Sequence, residues 1–327
     1  MLPSTAACFS VDDQGRLGSG AFSEVFPCVY HSPTGDRPAA LKVDTSRIRG
    51  GARRRSMLIY EAAILKDLQQ QGVTDGVPTV RWVGQVTYQD EKRPGMIMDR
   101  LHTNLTTWME NLRNHKHALS LSDASAIVCN VLKIIAHVHR AGYVHRDIKP
   151  DNLMLGIPPD TQIYLVDFGL GKRYLTRSGE HIPYSDQKPS EVGTPRFCAT
   201  YTHERVETSR RDDLQSIIFL LLALYFDKLP WQSTKKRVIG HRRVLEMKRE
   251  FLLGESTSKT YTTWLGQFPD GFFDLTRYVL QLGFEEAPDY AYLISGLESC
   301  FRDTPSTPVT QSPSTRGSTS STARSAT

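Results

Sequence analysis

Asp147, Asn152 and Asp167 are the residues whose types and spacing could do chemistry. Asp147 lies in His145-Arg146-Asp147-Ile148-Lys149-Pro150-Asp151-Asn152, with a lysine two residues on and a carboxamide five residues on. Asp167 opens Asp167-Phe168-Gly169 after one further apolar stretch. Asp147 can accept the proton of an attacking hydroxyl. Asn152 and Asp167 offer the few protein oxygens that Mg²⁺ takes when phosphate and water supply the rest. Lys149 can neutralise charge on a group in transfer. Phosphoryl transfer consists mostly of positioning and charge neutralisation, so it needs such a set.

Upstream lie two weaker signals. Glycines without Cβ let the backbone fold closely over phosphates and present its N–H groups. Gly18-Ser19-Gly20-Ala21-Phe22-Ser23-Glu24-Val25 has two glycines of such a loop, with Ser23 where a third is expected. By itself the segment reads equally well as a hairpin turn. A Walker-type P-loop is excluded, because no Gly-Lys-Ser/Thr follows. Lys42, in Ala39-Ala40-Leu41-Lys42, can reach the α- and β-phosphates of ATP if a carboxylate holds it, and Glu61 is the candidate. Alone, this pair reads as well as a solvated lysine and a helix-surface glutamate. In order along one chain, the glycine loop, Lys42, Glu61, Asp147, Asn152 and Asp167 imply transfer of the γ-phosphoryl group of ATP with Mg²⁺ as cofactor.

These residues need elements to position them. The first hundred residues read mainly as short strands punctuated by Gly and Pro, among them Ala39–Val43 and Met96–Met98. One helix interrupts them at about Ser56–Gln70, with Leu58, Ala62, Leu65 and Leu68 at helical spacing. From about residue 105 helices dominate. Ser122–Ala141 sets Ile127, Val131, Ile134, Ile135 and Val138 along one face, and Gly142 stops it. The pattern predicts an α+β fold of two lobes, joined near Asp99–Leu101, with a ligand cleft between them.

Composition sets the remaining bounds. Hydrophobic residues at 39% and charged residues at 23% fit a globular protein with a sizeable core, and a net charge of +5 does not by itself point to nucleic acid. Five scattered cysteines form no CxxC pair, so neither a disulfide framework nor a zinc site is expected. The N-terminus has no basic region followed by an apolar run, and the longest strongly apolar stretch, Ile217–Phe226, reads as a buried helix. The expectation is an intracellular monomer, in cytoplasm or nucleus, with protein substrates and without nucleic-acid or membrane partners. Residues 303–327 are rich in Ser, Thr and Pro and predict a disordered tail.

With these motifs in order, the chain resembles the eukaryotic protein kinases over about residues 9–301. The resemblance implies a two-lobed protein kinase fold, with a small strand-rich N-lobe (about 9–98), a hinge (99–101) and a larger helical C-lobe (about 102–301). Residues 1–8 are then an N-terminal extension and 302–327 the tail. Further segments resemble the casein kinase 1 family: Gly76-Val77-Pro78-Thr79-Val80-Arg81-Trp82, His181-Ile182-Pro183-Tyr184, Gly193-Thr194-Pro195-Arg196-Phe197, Thr202-His203, Ser209 to Leu214, Leu229-Pro230-Trp231-Gln232 and Pro288 to Leu293. Like that family, the chain lacks Ala-Pro-Glu after the activation segment.

Carried over by position, the resemblance sets Gly18, Ser19, Gly20 and Ser23 over the phosphates and Val25, Ala40, Met154 and Val166 around the adenine. Met98 becomes the gatekeeper, Asp99 to Leu101 the hinge, and Asp213 the brace beneath the catalytic loop. Lys149, by resemblance, points to Ser/Thr rather than tyrosine. The family's acidic or already phosphorylated substrates imply a basic pocket, with Arg196, Lys172 and Lys235 or Arg242 at matching positions. Lys235–Arg243 reads also as a solvated basic face, and the cluster Arg47, Arg49 and Arg53–Arg55 as a solvated loop. The chain departs from its relatives at Ser23, at Gly171, and at Ala199-Thr200-Tyr201, where the family has Ser-Ile-Asn. Two rival functions stand beside the enzyme: a pseudokinase scaffold, opposed by retention of Lys42, Asp147, Asn152 and Asp167, and a small-molecule phosphotransferase, opposed by the Thr194–Asp213 stretch.

Overall fold

The computed structural model describes residues 8–11, 15–20, 22–46, 56–187, 192–226, 228–232, 239–255 and 259–302. The expected tail, most of the N-terminal extension, the Arg47–Arg55 cluster and Lys235 lie outside these residues.

Six strands build the first lobe: β1 (Phe9–Val11), β2 (Gly18–Ser19), β3 (Ser23–Ser32), β4 (Gly35–Asp44), β5 (Val80–Tyr88) and β6 (Glu91–Asp99). They form one antiparallel sheet in the order β1-β3-β4-β6-β5, with β2 also on β3. Successive side chains of a strand face opposite ways. In β4, Ala39, Leu41 and Val43 therefore join Phe26, Cys28, Val86 and Ile97 in a core on one face of the sheet. Ala40 and Lys42 turn to the other face, toward α1 (Met57–Gln70). Ser56 caps that helix, accepting a hydrogen bond from the Ile59 N–H, and Leu58, Leu65 and Leu68 anchor it in the second core.

The rest of the chain is chiefly helical: α2 (Leu105–Asn114), α3 (Leu121–Arg140), α4 (Thr200–His203), α5 (Arg210–Tyr225), α6 (His241–Leu253), α7 (Lys259–Leu265), α8 (Asp270–Gln281) and α9 (Tyr290–Phe301). Short strand pairs join β7 (Tyr143–Val144) to β10 (Lys172–Arg173) and β8 (Leu153–Leu155) to β9 (Ile163–Leu165). A capping box between Ser120 and Asp123 starts α3, and Gly142, at φ +87°, follows its end. By length and composition α3 is the one helix among the described residues able to cross a membrane. In this fold its Val128, Val131, Leu132, Ile135 and Val138 are buried and it packs on α5 and α9. Among the described residues no disulfide joins the cysteines.

The apolar run Ile217–Phe226 does form a buried helix, but α5 starts seven residues earlier, at Arg210. Its polar first turn is buried because Asp212 closes a capping box with Ser209, Asp213 turns to the catalytic loop, and Arg211 donates to Leu282 O at 3.0 Å.

Candidate active site

Lys42 sits on the central strand β4, opposite Val25 of β3 and Met96 of β6. Its Nζ lies 2.7 Å from Glu61 Oε2 and 3.3 Å from Asp167 Oδ1. Glu61 is on the inward face of α1 with Leu58, Ala62 and Leu65, so the helix delivers the carboxylate to a buried cation. Burial alone would lower the Lys42 pKa, but the Glu61 and Asp167 carboxylates outweigh it and push it up. The lysine is a fixed positive charge, held for phosphate oxygens.

The catalytic loop is suspended from Asp213. Its Oδ2 accepts the His145 N–H at 2.7 Å and its Oδ1 the Arg146 N–H at 2.8 Å. Arg146 is held at φ +71°, a conformation uncommon outside glycine, and its Nε donates to Leu170 O at 2.6 Å. Burial would raise the Asp213 carboxyl, but the bond from His139 Nε2 at 2.9 Å and the loop N–H groups hold it below the usual range. His145 Nε2 donates to Val166 O at 3.1 Å and its ring edge packs on Phe168, 4.8 Å between centroids. One buried carboxylate and one imidazole thus tie the loop to α5 and to the Asp167-Phe168-Gly169 turn.

Both oxygens of Asp147 are engaged. Oδ2 accepts from Lys149 Nζ at 2.6 Å and from Asn152 Nδ2 at 3.1 Å. Oδ1 accepts from the Thr194 N–H at 2.9 Å and the Thr194 hydroxyl at 2.8 Å. Lys149 also donates to Thr194 Oγ1 at 2.8 Å, closing a triangle around the carboxylate. Asn152 Nδ2 donates again to Asp147 O at 2.9 Å, which fixes the carboxamide plane and leaves its oxygen for a cation. Asp167 adopts a left-handed backbone (φ 65°, ψ 65°) that turns its carboxylate toward Lys42. Burial would raise that carboxyl, but Lys42 brings it below the ordinary value, so it is ionised and able to bind metal.

These groups line one cavity of about 630 Å³, shared by Ser19, Gly20 and Ser23 of the glycine loop with Lys42, Asp147, Asn152 and Asp167. Gly20 donates its N–H to Ser23 O at 2.8 Å, which shapes the loop. Gly18 pairs with Val25 at its base. The donor set fits ATP with a hard divalent cation: backbone N–H groups and a lysine for phosphates, a carboxylate and a carboxamide for the metal.

The residues expected around adenine are not among those that line this cavity; they sit on strands and strand ends close along the chain to residues that do. Ala40 pairs with Met98, Met154 with Tyr164, and Val166 donates its N–H to Asn152 O at 2.9 Å. Val25, Met98, Met154, Val166 and Leu101 are half-buried. The Asp99 side chain is turned to Thr79 N (2.9 Å) and Arg81 Nη2 (2.7 Å), which pins the hinge.

Of the expected basic positions, the three described, Arg196, Lys172 and Arg242, each meet a different neighbour. Arg196 is exposed, its guanidinium 4.9 Å over the Phe197 ring. Lys172 pairs with buried Glu207 at 2.8 Å. Arg242 is almost fully exposed at the start of α6 and pairs with Glu246, as a solvated face would. The Ala199-Thr200-Tyr201 departure faces inward. Thr200 bonds Gln215 Oε1 at 2.9 Å, and Tyr201 donates to Leu280 O at 2.8 Å beneath the Arg211 guanidinium. Gly171 leaves room for Ile64, whose Cδ1 would stand 3.1 Å from an added Cβ. Thr194 is the site residue that sequence reading missed. Its signal was a threonine directly after Gly193, whose φ of +87° brings the chain against Arg146 O.

A family model described as Protein kinase domain matches residues 11–288, most of the chain.

Proposed function

The chain belongs to the protein kinase family, and on that premise we propose a Ser/Thr kinase of the casein kinase 1 kind. In this reading it moves the γ-phosphoryl group of ATP-Mg²⁺ to Ser or Thr of acidic or already phosphorylated proteins. Family membership brings phosphotransferase activity, ATP with a divalent cation, and protein substrates. The observation that carries the finer reading is the Asp147–Lys149–Thr194 triangle, a lysine two residues past the base and bonded to it.

Asp147 accepts the hydrogen bond and then the proton of the substrate hydroxyl, which aligns the nucleophile. Lys149, at the same carboxylate, neutralises charge as the phosphoryl group crosses. Lys42, steadied by Glu61, holds the α- and β-phosphates, and the backbone of Gly18–Ser23 closes over them. Bound Mg²⁺, held by Asn152 and Asp167, would neutralise phosphate charge during transfer. Val25, Ala40, Met98, Met154 and Val166 enclose the adenine, with Asp99 to Leu101 as hinge. We place the domain at 9–301, because α9 packs on α3 beyond the matched residues. The protein acts as an intracellular monomer in cytoplasm or nucleus, without nucleic-acid or membrane partners.

The test is a peptide panel with labelled ATP and Mg²⁺: acidic, primed and neutral Ser, Thr and Tyr substrates, read by phosphoamino-acid analysis. Label on Ser or Thr of acidic or primed peptides is expected. Arg196→Ala should weaken primed peptides by about tenfold, the worth of one lost charge-assisted bond, and unprimed ones far less. Label on Tyr, or equal losses on primed and unprimed peptides, sinks the specificity. A protein that binds ATP but transfers nothing would be a scaffold.

A further inference from the structure

Lys248 is fully buried, a rare state for a lysine. It lies on α6 at helical spacing from Val244, Phe251 and Leu252, the face that packs into the core. An ammonium there loses its hydration, which is tolerated only where its donors are met. Nζ donates to Pro195 O at 2.8 Å, Cys198 O at 2.6 Å and His203 Nε2 at 3.1 Å, with Cys198 Sγ at 3.9 Å, so the ammonium meets acceptors on the turn and on α4. The rings of Phe219 and Trp231 stand 5.0 and 5.8 Å from it.

The carbonyls it holds belong to one short turn. Trp231 Nε1 takes the carbonyl between them, Arg196 O, at 2.9 Å. The turn's amides, Phe197 N and Cys198 N, return to Thr194 O at 2.8 and 2.9 Å. Thr194 in turn carries Asp147. A continuous path of charged and backbone bonds thus runs from α6 through Lys248 and the 195–198 turn to the catalytic carboxylate, while the Arg196 side chain above it faces solvent.

We propose that Lys248 is a positioning residue for protein-substrate binding: it sets the height and rigidity of the Pro195–Cys198 turn on which the substrate chain lies beside Asp147. The proposal rests on the kinase reading of that site. A buried cation suits the task because its bonds to the carbonyls are charge-assisted and shielded from water. An apolar side chain would fill the space and leave the carbonyls without donors.

The test uses the full chain with Lys248→Met, which keeps the stem and removes the donors, and Lys248→Gln, which keeps amide donors on a shorter stem. Steady-state kinetics at varied peptide and varied ATP are read beside amide hydrogen exchange. The expected result for Lys248→Met is a peptide kcat/KM lowered about tenfold, mostly through a raised peptide KM, with ATP KM changed by less than about threefold. Exchange at Phe197 and Cys198 should quicken while the α5 amides stay slow. Lys248→Gln should fall between, and it decides the matter if the methionine protein fails to fold. A lowered Tm with unchanged peptide KM and unchanged exchange in the turn overturns the proposal. If wild type transfers no phosphoryl group, the kinase reading fails, and exchange alone decides: quickening confined to the turn supports the role of Lys248, and no quickening overturns it.

Discussion

Thr194→Val removes one hydroxyl and, with it, two bonds to the catalytic pair. Thr194 Oγ1 lies 2.8 Å from Asp147 Oδ1 and 2.8 Å from Lys149 Nζ. Valine has nearly the same shape, so the backbone N–H to Asp147 at 2.9 Å is retained. Hydrogen bonds to charged groups contribute about 1.5–3 kcal/mol each. The retained N–H and solvent at this half-buried site offset part of two such losses, leaving about 2–4 kcal/mol. Expressed in the transition state, that is a fall in kcat/KM of roughly 30- to 10³-fold. The assay is steady-state transfer to a Ser peptide, with thermal melts to show that the variant folds. Thr194→Ser, which restores the hydroxyl, should stay near wild type. A valine variant within about twofold of wild type, or valine and serine variants equally impaired, would refute the idea that the hydroxyl orients Asp147 and Lys149.

Two further outcomes follow from charges buried elsewhere. Lys42→Met leaves Glu61 buried without its cation, which should cost about 3–5 kcal/mol of stability in denaturant melts, and turnover should fall by about 10²-fold or more; full turnover would contradict the role of Lys42. Asp212 is fully buried, with Oδ1 unpartnered among the described residues, and burial pushes its carboxyl from 3.8 up to about 7. The folded chain keeps that proton while the unfolded chain releases it near 3.8, so the stability contribution is complete below that pH and is lost as pH rises to about 7. The loss amounts to at most about 4 kcal/mol, and Asp212→Asn should remove that slope from melts between pH 4 and 8. Parallel slopes in the two proteins would show that Asp212 does not titrate this way.

The residues legible in the sequence are those whose task is set within one stretch of chain. Asp147, Lys149 and Asn152 share a loop, and their mutual bonds follow from its tight turn. Lys42 and Glu61 lie on neighbouring elements whose periodicity shows which way each side chain turns. Thr194 was not legible, because it meets Asp147 only when a chain 47 residues on folds back across the loop. Among the expected basic positions, what the sequence does not always show is the partner that each one takes. Lys172 takes its partner from Glu207, far along the chain, whereas the Arg242–Glu246 pair, four residues apart on a helix, could have been read. Hydropathy marks only the apolar run of α5, so it did not show that the helix begins at Arg210, where Asp213 meets the His145 N–H of the catalytic loop and Asp212 accepts the Ser209 N–H at the helix's own cap.

The central claim is tested most directly by Asp147→Asn. The amide keeps the size of the side chain and can still meet Lys149 or Thr194, but it cannot take the proton of a substrate hydroxyl. Purified wild type with Mg²⁺ and labelled ATP should phosphorylate a Ser or Thr peptide, and the variant should bind ATP as well while transferring about 10²–10⁴-fold more slowly, the range for a lost acid–base group. An unaltered transfer rate in the variant would contradict the account.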